Sequence, residues 1–237
     1  MSPRDESAEP WATPAPEGTV LVLVRHAEQS TMLDVDPDLS ERGRSQAALL
    51  AARLARLPVD RVVSSPMRRA RQTAAPLAAA RGLEVELHED LDEVRMSAEV
   101  VRERFLKDSV RAMEPDPARY AETVLGAIGV VPRFRFTGSD GGESAEDLRI
   151  RATRALAEVI DAAEPQTVVV FTHGAFINAA LSSWLSIPRH MWFVPWHTGI
   201  TVLRVTRGAL VPLSVNDASH LAPDDDVLGI VTRKAPA

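Results

Sequence analysis

Leu21-Val22-Leu23-Val24-Arg25-His26-Ala27-Glu28 is an apolar, partly β-branched run that stops at an Arg-His pair. A short continuous apolar run suits a strand buried on both faces, as in a parallel sheet covered by helices. In open α/β sheets, chemistry gathers just beyond the carboxyl ends of the strands. Arg25 therefore brings a planar fork for phosphate or carboxylate oxygens and His26 a nucleophile or proton carrier to one sheet edge. Taken alone, the pair also fits a strand that ends in two solvated polar residues.

Thr167-Val168-Val169-Val170-Phe171-Thr172-His173-Gly174 repeats the pattern. Gly174 permits close approach of backbone or ligand, and the helix-compatible stretch from Ala175 through Trp184 would offer its first N–H groups to an anion. A third strand end, Asp60-Arg61-Val62-Val63-Ser64-Ser65, runs into Pro66-Met67-Arg68-Arg69-Ala70-Arg71-Gln72-Thr73-Ala74, a helix start with Pro near its first position. Three arginines crowd one turn. Arg68 and Arg71 read as a solvated basic face, and one of the three can point back over the helix N-terminus.

Working outward, strands and helices alternate. Thr19–Arg25, Arg61–Ser64, Leu83–His88 and Thr167–Thr172 read as strands, and Gly199–Val205 with Leu210–Val215 as two more at a sheet edge. Helices are expected from Ser40, a good N-cap, to about Arg56; from Met67 to about Arg81, stopped by Gly82; and from Ser144 to about Ala163. The alternation predicts an α/β fold: a three-layer α/β/α sandwich around a mainly parallel sheet. The stretch at about 95–140 breaks the pattern and is expected to be a helical insertion. Residues 1–18 read as a disordered N-terminal tail, 19–217 as one domain and 218–237 as a C-terminal tail in which Val227–Val231 can dock.

Composition narrows the function. A net charge of −6 without a Lys/Arg-rich tract argues against a nucleic-acid surface. The chain has no cysteine, which excludes thiolate catalysis and Cys-based zinc sites. No apolar stretch approaches the roughly 20 residues of a membrane helix, and the polar, proline-bearing start lacks an export core. The expectation is a cytoplasmic protein with no membrane partner; a homodimer is compatible with it.

Five motifs in order, Arg25-His26-Ala27-Glu28, Leu39-Ser40-Glu41-Arg42-Gly43-Arg44-Ser45-Gln46-Ala47, Ser64 through Ala74, Gly141-Gly142-Glu143-Ser144 and Thr172-His173-Gly174, resemble the cytoplasmic branch of the histidine phosphatase superfamily, the phosphoglycerate-mutase-like proteins. The resemblance runs from about Thr19 to Val205 with a poorly matched middle. It implies that His26 is a nucleophile that becomes phosphohistidine, and that Arg25, Arg69 and His173 cradle the phosphoryl oxygens. It implies an insertion that covers the active site and selects substrate. The family's Leu-x-Glu pattern selects Glu93, in Leu91-Asp92-Glu93, as the acid. The Gly- and Trp-containing sequence that commonly follows is missing, so Glu89 and Asp92 stay open. Glu28, Gln29, Ser30, Gly174 and His197 are candidate substrate contacts, with Glu28 also suited to orienting a neighbour. Glu143 and Ser144 suit capping a helix and tying loops. No cofactor or metal is implied: arginine and histidine handle the phosphate charge, and no HExxH-like spacing occurs.

Three functions fit the resemblance: hydrolysis of a small phosphorylated metabolite, a phosphoglycerate-type mutase, and a non-catalytic phospho-ligand binder. Mutases usually carry a Trp-Asn-rich loop after the Arg-His pair and a Glu-Arg-His-Tyr run at the acid. Here Gln29-Ser30-Thr31-Met32-Leu33-Asp34 and Glu93-Val94-Arg95-Met96 stand instead. The phosphomonoesterase is therefore expected, with a preference for substrates that bring apolar surface to Val130, Val131, Phe134 and Phe136.

Overall fold

β1 (Val20–Arg25) lies between β4 (Thr167–Thr172) and β5 (Ile200–Thr206), in a six-stranded sheet of order β3-β2-β4-β1-β5-β6. The computed structural model describes residues 15–31, 34–95, 141–189 and 191–221. β2 is Arg61–Ser64, β3 Val85–Leu87 and β6 Ala209–Asp217. The pairings β3-β2, β2-β4 and β4-β1 are parallel, and β1-β5 and β5-β6 are antiparallel. The mainly parallel sheet is as expected. The placement of β5 is not quite: it lies inside the sheet against β1, and of the two late strands β6 alone forms an edge.

The helices are α1 (Glu41–Leu54), α2 (Arg68–Arg81), α3 (Ala145–Ile160) and α4 (Gly174–Trp184). Alternation along β1 and β4 shows why these strands carry no polar interruption. Val22, Val24, Val169 and Phe171 pack with Leu50, Leu54, Ala74 and Leu77 of α1 and α2. Leu21, Leu23, Val168 and Val170 pack with Leu156, Ile160, Phe176 and Ala180 of α3 and α4 on the other face. Both faces are thus dry, and the three layers follow.

Caps set the helix ends. Ser40 accepts from the Gly43 N–H at 2.9 Å. Ser144 and Asp147 form a reciprocal capping box. Gly82, at φ 64°, closes α2 in the left-handed region. β3 is shorter than expected because Leu83 is used to finish α2, its N–H bonding the Ala78 carbonyl at 2.9 Å. His88 caps a 3₁₀ turn over Glu89–Leu91. α1 and α3 end at Leu54 and Ile160, earlier than Arg56 and Ala163.

Ala15, Ala218 and Leu221 are buried against the domain, just outside the expected 19–217. The expected insertion lies, beyond Arg95, outside the described residues, as do the rest of both tails and Met32 and Leu33. Among the described residues no helix is long and apolar enough to cross a membrane.

Candidate active site

The parallel register brings the two strand-end histidines together. Arg25 pairs with Thr172, and the next residue, His26, donates its N–H to the Thr172 carbonyl at 2.9 Å. The imidazoles of His26 and His173 lie 5.2 Å apart between centroids. That of His197 lies 5.8 Å from His26. His26 and His173 are 3% and 0% exposed, so both rings sit in a region that solvates charge poorly.

His26 Nδ1 lies 2.8 Å from the carbonyl oxygen of Ala27. A carbonyl only accepts, so Nδ1 carries the proton, and in the neutral ring Nε2 holds the lone pair. Burial pushes the His26 pKa well below its usual value, and Arg69, Arg25, His173 and His197 push it further. The backbone behind the ring is fixed: the Ala27 N–H donates to Thr73 Oγ1 at 2.9 Å, and Thr73 donates to the Arg69 carbonyl at 2.6 Å. An uncharged, oriented imidazole is the form that attacks.

Arg25 and Arg69 are 8% and 6% exposed. Arg25 Nη1 donates to the Pro195 carbonyl at 2.7 Å. Arg69 Nη1 donates to the Val35 carbonyl at 3.2 Å and Nη2 approaches His173 Nδ1 at 3.3 Å. Arg69 Nε is buried and meets no acceptor among the described residues. Burial lowers the Arg69 pKa from its usual value, opposed by the charges of Glu93 and Asp36. A buried guanidinium with an open donor suits an incoming anion. Arg68, by contrast, is exposed and sits among Asp34, Asp36 and Asp38.

The three candidate carboxylates at the exit of β3, Glu89, Asp92 and Glu93, separate by position. Glu89 is exposed on the 3₁₀ turn. Asp92 Oδ1 accepts from Ser65 Oγ at 2.6 Å. Glu93 Oε1 accepts from the backbone N–H of Val94 at 3.0 Å and of Ala175 at 3.2 Å. That sets Glu93 at the N-terminus of α4, beside His173. The loop is held from behind by Arg151, only 5% exposed. Its guanidinium donates to the carbonyls of Asp90, Asp92 and Glu93 at 2.7, 2.9 and 3.2 Å. It is bidentate to Glu143 at 2.6 and 2.7 Å. The Gly-Glu-Ser motif thus ties the loop that carries the carboxylates, as expected of Glu143.

The other candidates divide. The Glu28 carboxylate is engaged by Ser40 Oγ at 2.7 Å and by the Arg42 guanidinium, so it anchors the loop after His26 to α1. Gln29 Nε2 donates to the Thr31 carbonyl at 2.8 Å, and the Ser30 N–H to that of Asp38 at 2.8 Å. Gly174 begins α4; a Cβ there would meet Arg25 Nε at 3.7 Å, an ordinary contact, so the described residues do not by themselves demand glycine. His197 is carried to the site by a tight turn. Thr198 has φ 56°, and a Cβ at Gly199 would come within 2.3 Å of Asn216 Oδ1, leaving no room for a side chain. Burial, then Arg25 and Arg42, lower the His197 pKa well below its usual value.

Sequence reasoning did not find Ser65, Thr73, Pro195 or Arg151 as parts of the site. Ser65 and Thr73 stand inside a motif it had marked. Arg151 gave no signal, because an arginine on a helix ordinarily reads as solvated.

The two buried imidazoles make a stability prediction. In the unfolded chain each titrates near ~6.5, whereas in the fold burial, first, and the arginines hold both pKa values well below that. As pH falls below the unfolded value, the unfolded chain binds protons the native state refuses, so stability falls from there toward the depressed folded values. Ligand-free protein is expected to melt at a lower temperature at pH 5.5 than at pH 7.5. An unchanged midpoint would show that the native imidazoles take up protons over the same pH range as in the unfolded chain.

Comparison with known proteins bears on this edge. The model of the histidine phosphatase superfamily (branch 1) matches residues 21–218. Phosphoserine phosphatase 1 of Hydrogenobacter thermophilus is 31% identical over 216 residues, 85% of this chain and 93% of the relative. Phosphoglycerate mutase-like protein 4 of Arabidopsis thaliana is 30% identical over 85% of this chain and 86% of its own. Among solved structures, mycobacterial glucosyl-3-phosphoglycerate phosphatase superposes with a TM-score of 0.64 at 25% identity, covering 85% of this chain and all of that one (100%). YhfR of Bacillus stearothermophilus superposes with a TM-score of 0.66 at 27% identity, covering 85% and 98%.

Proposed function

Since the chain belongs to the histidine phosphatase superfamily (branch 1), we propose that it is a phosphatase that hydrolyses a small phosphomonoester through a phosphohistidine on His26, without a metal. The observation that carries this reading is the neutral His26 ring, its Nδ1 committed to a carbonyl, among Arg25, Arg69 and His173. Such a pocket holds a nucleophile uncharged and welcomes a dianion.

In this reading Nε2 of His26 attacks phosphorus in line with the leaving oxygen, and a P–N bond replaces the P–O bond. Glu93, entering as the acid, gives its proton to the departing alkoxide. Arg25, Arg69 and His173 hold the three oxygens as charge redistributes over them. Water then attacks the phosphohistidine: a P–O bond replaces the P–N bond, whose electron pair returns to His26 Nε2, and the Glu93 carboxylate takes the water's proton. Gln29, Ser30, Gly174 and His197 touch substrate, and Glu28 braces the loop that bears two of them. The named activities of the relatives support small phosphorylated acids such as phosphoserine and glucosyl-3-phosphoglycerate as the first substrates to try.

The mutase reading draws support from the Arabidopsis relative. A mutase must exclude water and hold a bisphosphorylated intermediate until the phosphoryl group is handed back. The loop from Gln29 to Asp34 has no Asn or Trp with which to grip a sugar acid. Phosphate release from a panel of esters is expected to exceed 2- to 3-phosphoglycerate interconversion on the same preparation, with or without added bisphosphoglycerate. Vanadate, tungstate and phosphate should compete with substrate, and chelators should have no effect. Mutase turnover well above phosphate release would reverse the assignment, and activity lost to a chelator and restored by a divalent ion would remove the metal-free mechanism.

A further inference from the structure

His173 is the middle of a hydrogen-bonded chain that the phosphatase mechanism does not require. Arg69 Nη2 lies 3.3 Å from His173 Nδ1, His173 Nε2 lies 2.9 Å from Ser65 Oγ, and Ser65 Oγ lies 2.6 Å from Asp92 Oδ1. Only one proton arrangement satisfies all three contacts. A guanidinium can only donate, so His173 Nδ1 accepts. Nε2 then carries the proton and donates to Ser65, whose hydroxyl donates to the Asp92 carboxylate. With the proton on Nδ1 instead, two donors would face each other at Arg69, and Nε2 and Asp92 would compete for one hydroxyl hydrogen.

We propose that Asp92, acting through Ser65, is a positioning residue that fixes the Nε2-protonated form of His173 and balances its charge when a phosphoryl group binds. The proposal rests on the phosphatase reading for its function, and on geometry for its existence.

The chain is held at both ends by β4, so it is a built feature of the fold. The Ser65 N–H bonds the Phe171 carbonyl at 2.9 Å, and Thr172 Oγ1 bonds the Leu91 carbonyl at 2.6 Å. Arg151 holds the Asp92 carbonyl at 2.9 Å. Ser65 and His173 are both fully buried, so water does not compete for these contacts.

The consequence is a proton that appears in the cradle together with the phosphate. Without ligand, His173 Nδ1 is an acceptor and cannot hold a phosphoryl oxygen. When a phosphomonoester arrives as its monoanion, Arg69 turns to the phosphoryl oxygens and the P–O–H proton passes to Nδ1. The O–H bond breaks with its electron pair left on oxygen, and an N–H bond forms. The resulting imidazolium faces Arg69 from α2, Arg25 from the end of β1, His26 just beyond it, and Arg151 from α3, all unfavourable or neutral to a cation. Favourable charge comes from the bound phosphate and from Asp92 through one hydroxyl; Glu93, at the Ala175 N–H, enters as the acid and adds none. Removing the Asp92 charge should therefore make the cation harder to form.

Asp92→Asn retains shape and a carbonyl oxygen for Ser65 while deleting the charge. Three readouts apply. Nitrogen NMR of the imidazoles should show His173 protonated at Nε2 alone without ligand, and at both nitrogens with inorganic phosphate at neutral pH. In Asp92→Asn the doubly protonated form with phosphate should appear only at lower pH, phosphate inhibition should weaken by about 10–100-fold, the scale seen for outer partners of an oriented histidine, and the alkaline limb of kcat/KM should move to lower pH. The loss should be the same on alkyl and nitrophenyl esters. Ser65→Ala leaves Arg69 alone to set the tautomer, so the preference should weaken, and the protein should melt below wild type because the His173 and Met67 donors lose a buried acceptor. A ligand-free His173 protonated at Nδ1, or an Asp92→Asn protein with unchanged phosphate affinity and pH profile, overturns the proposal. Losses confined to alkyl esters overturn it too, by making Asp92 the acid. If wild type releases no phosphate from any ester, the phosphatase reading fails, and the NMR and phosphate-binding arms still decide the relay.

Discussion

His26→Ala is expected to abolish phosphate release and leave the sheet standing. The ring lies past the end of β1, and neither of the two large hydrophobic clusters includes it. Its backbone N–H still bonds Thr172 in the alanine protein. What disappears is Nε2, the lone-pair nitrogen beside Arg25 and Arg69 that the phosphatase reading makes the nucleophile. If the route is covalent through that nitrogen, the loss should reach the background of the assay. The decisive measurement is a brief exposure to labelled substrate followed by an alkaline quench and an acid challenge. Wild type should carry an acid-labile phosphate, and His26→Ala none. Retention of more than a trace of turnover, or of the labile phosphate, would assign the nucleophile elsewhere.

Glu93→Gln is expected to show its effect through the leaving group. An alkoxide is a poor leaving group and needs a proton as the P–O bond breaks. A nitrophenolate hardly does. Loss of a general acid slows such a step by roughly 10²–10⁴-fold, so alkyl phosphates should suffer on that scale while nitrophenyl phosphate changes little. The substitution is conservative in place: the amide oxygen of Gln can still accept from the Val94 and Ala175 N–H groups that now hold Oε1. Equal losses on both kinds of ester would make Glu93 a binding or structural group. The same comparison on Glu89, exposed on its turn, is expected to be silent.

Much of this was written in the strands. Runs such as Leu21–Val24 and Val168–Phe171 have no polar face because helices cover both sides, and that property is local enough to read from sequence. The histidines that end them follow automatically. β5 was harder to place. Its residues say strand, but its antiparallel pairing with β1 depends on a partner far away in the chain. The candidate acid illustrates the same limit. Glu89, Asp92 and Glu93 are alike as letters. They differ only because Ser65 reaches one, the start of α4 another, and solvent the third. Arg151 reversed an expectation of residue type: a helical arginine became the buried peg under the loop.

The strand order carries a consequence for how the protein comes into being. β4 sits between β2 and β1, so those two early strands share no ladder of their own. α1 packs on α2 and the Ala27 N–H bonds Thr73, but within the sheet the segment that carries Arg25 and His26 and the one that leads to Ser65 and Arg69 are bridged only by residues 167–172. The set of Arg25, His26, Arg69 and His173 is therefore incomplete until β4 is in place, because His173 follows its last residue. The long-range closure that completes the sheet delivers His173 in the same step, and folding and competence are gained together.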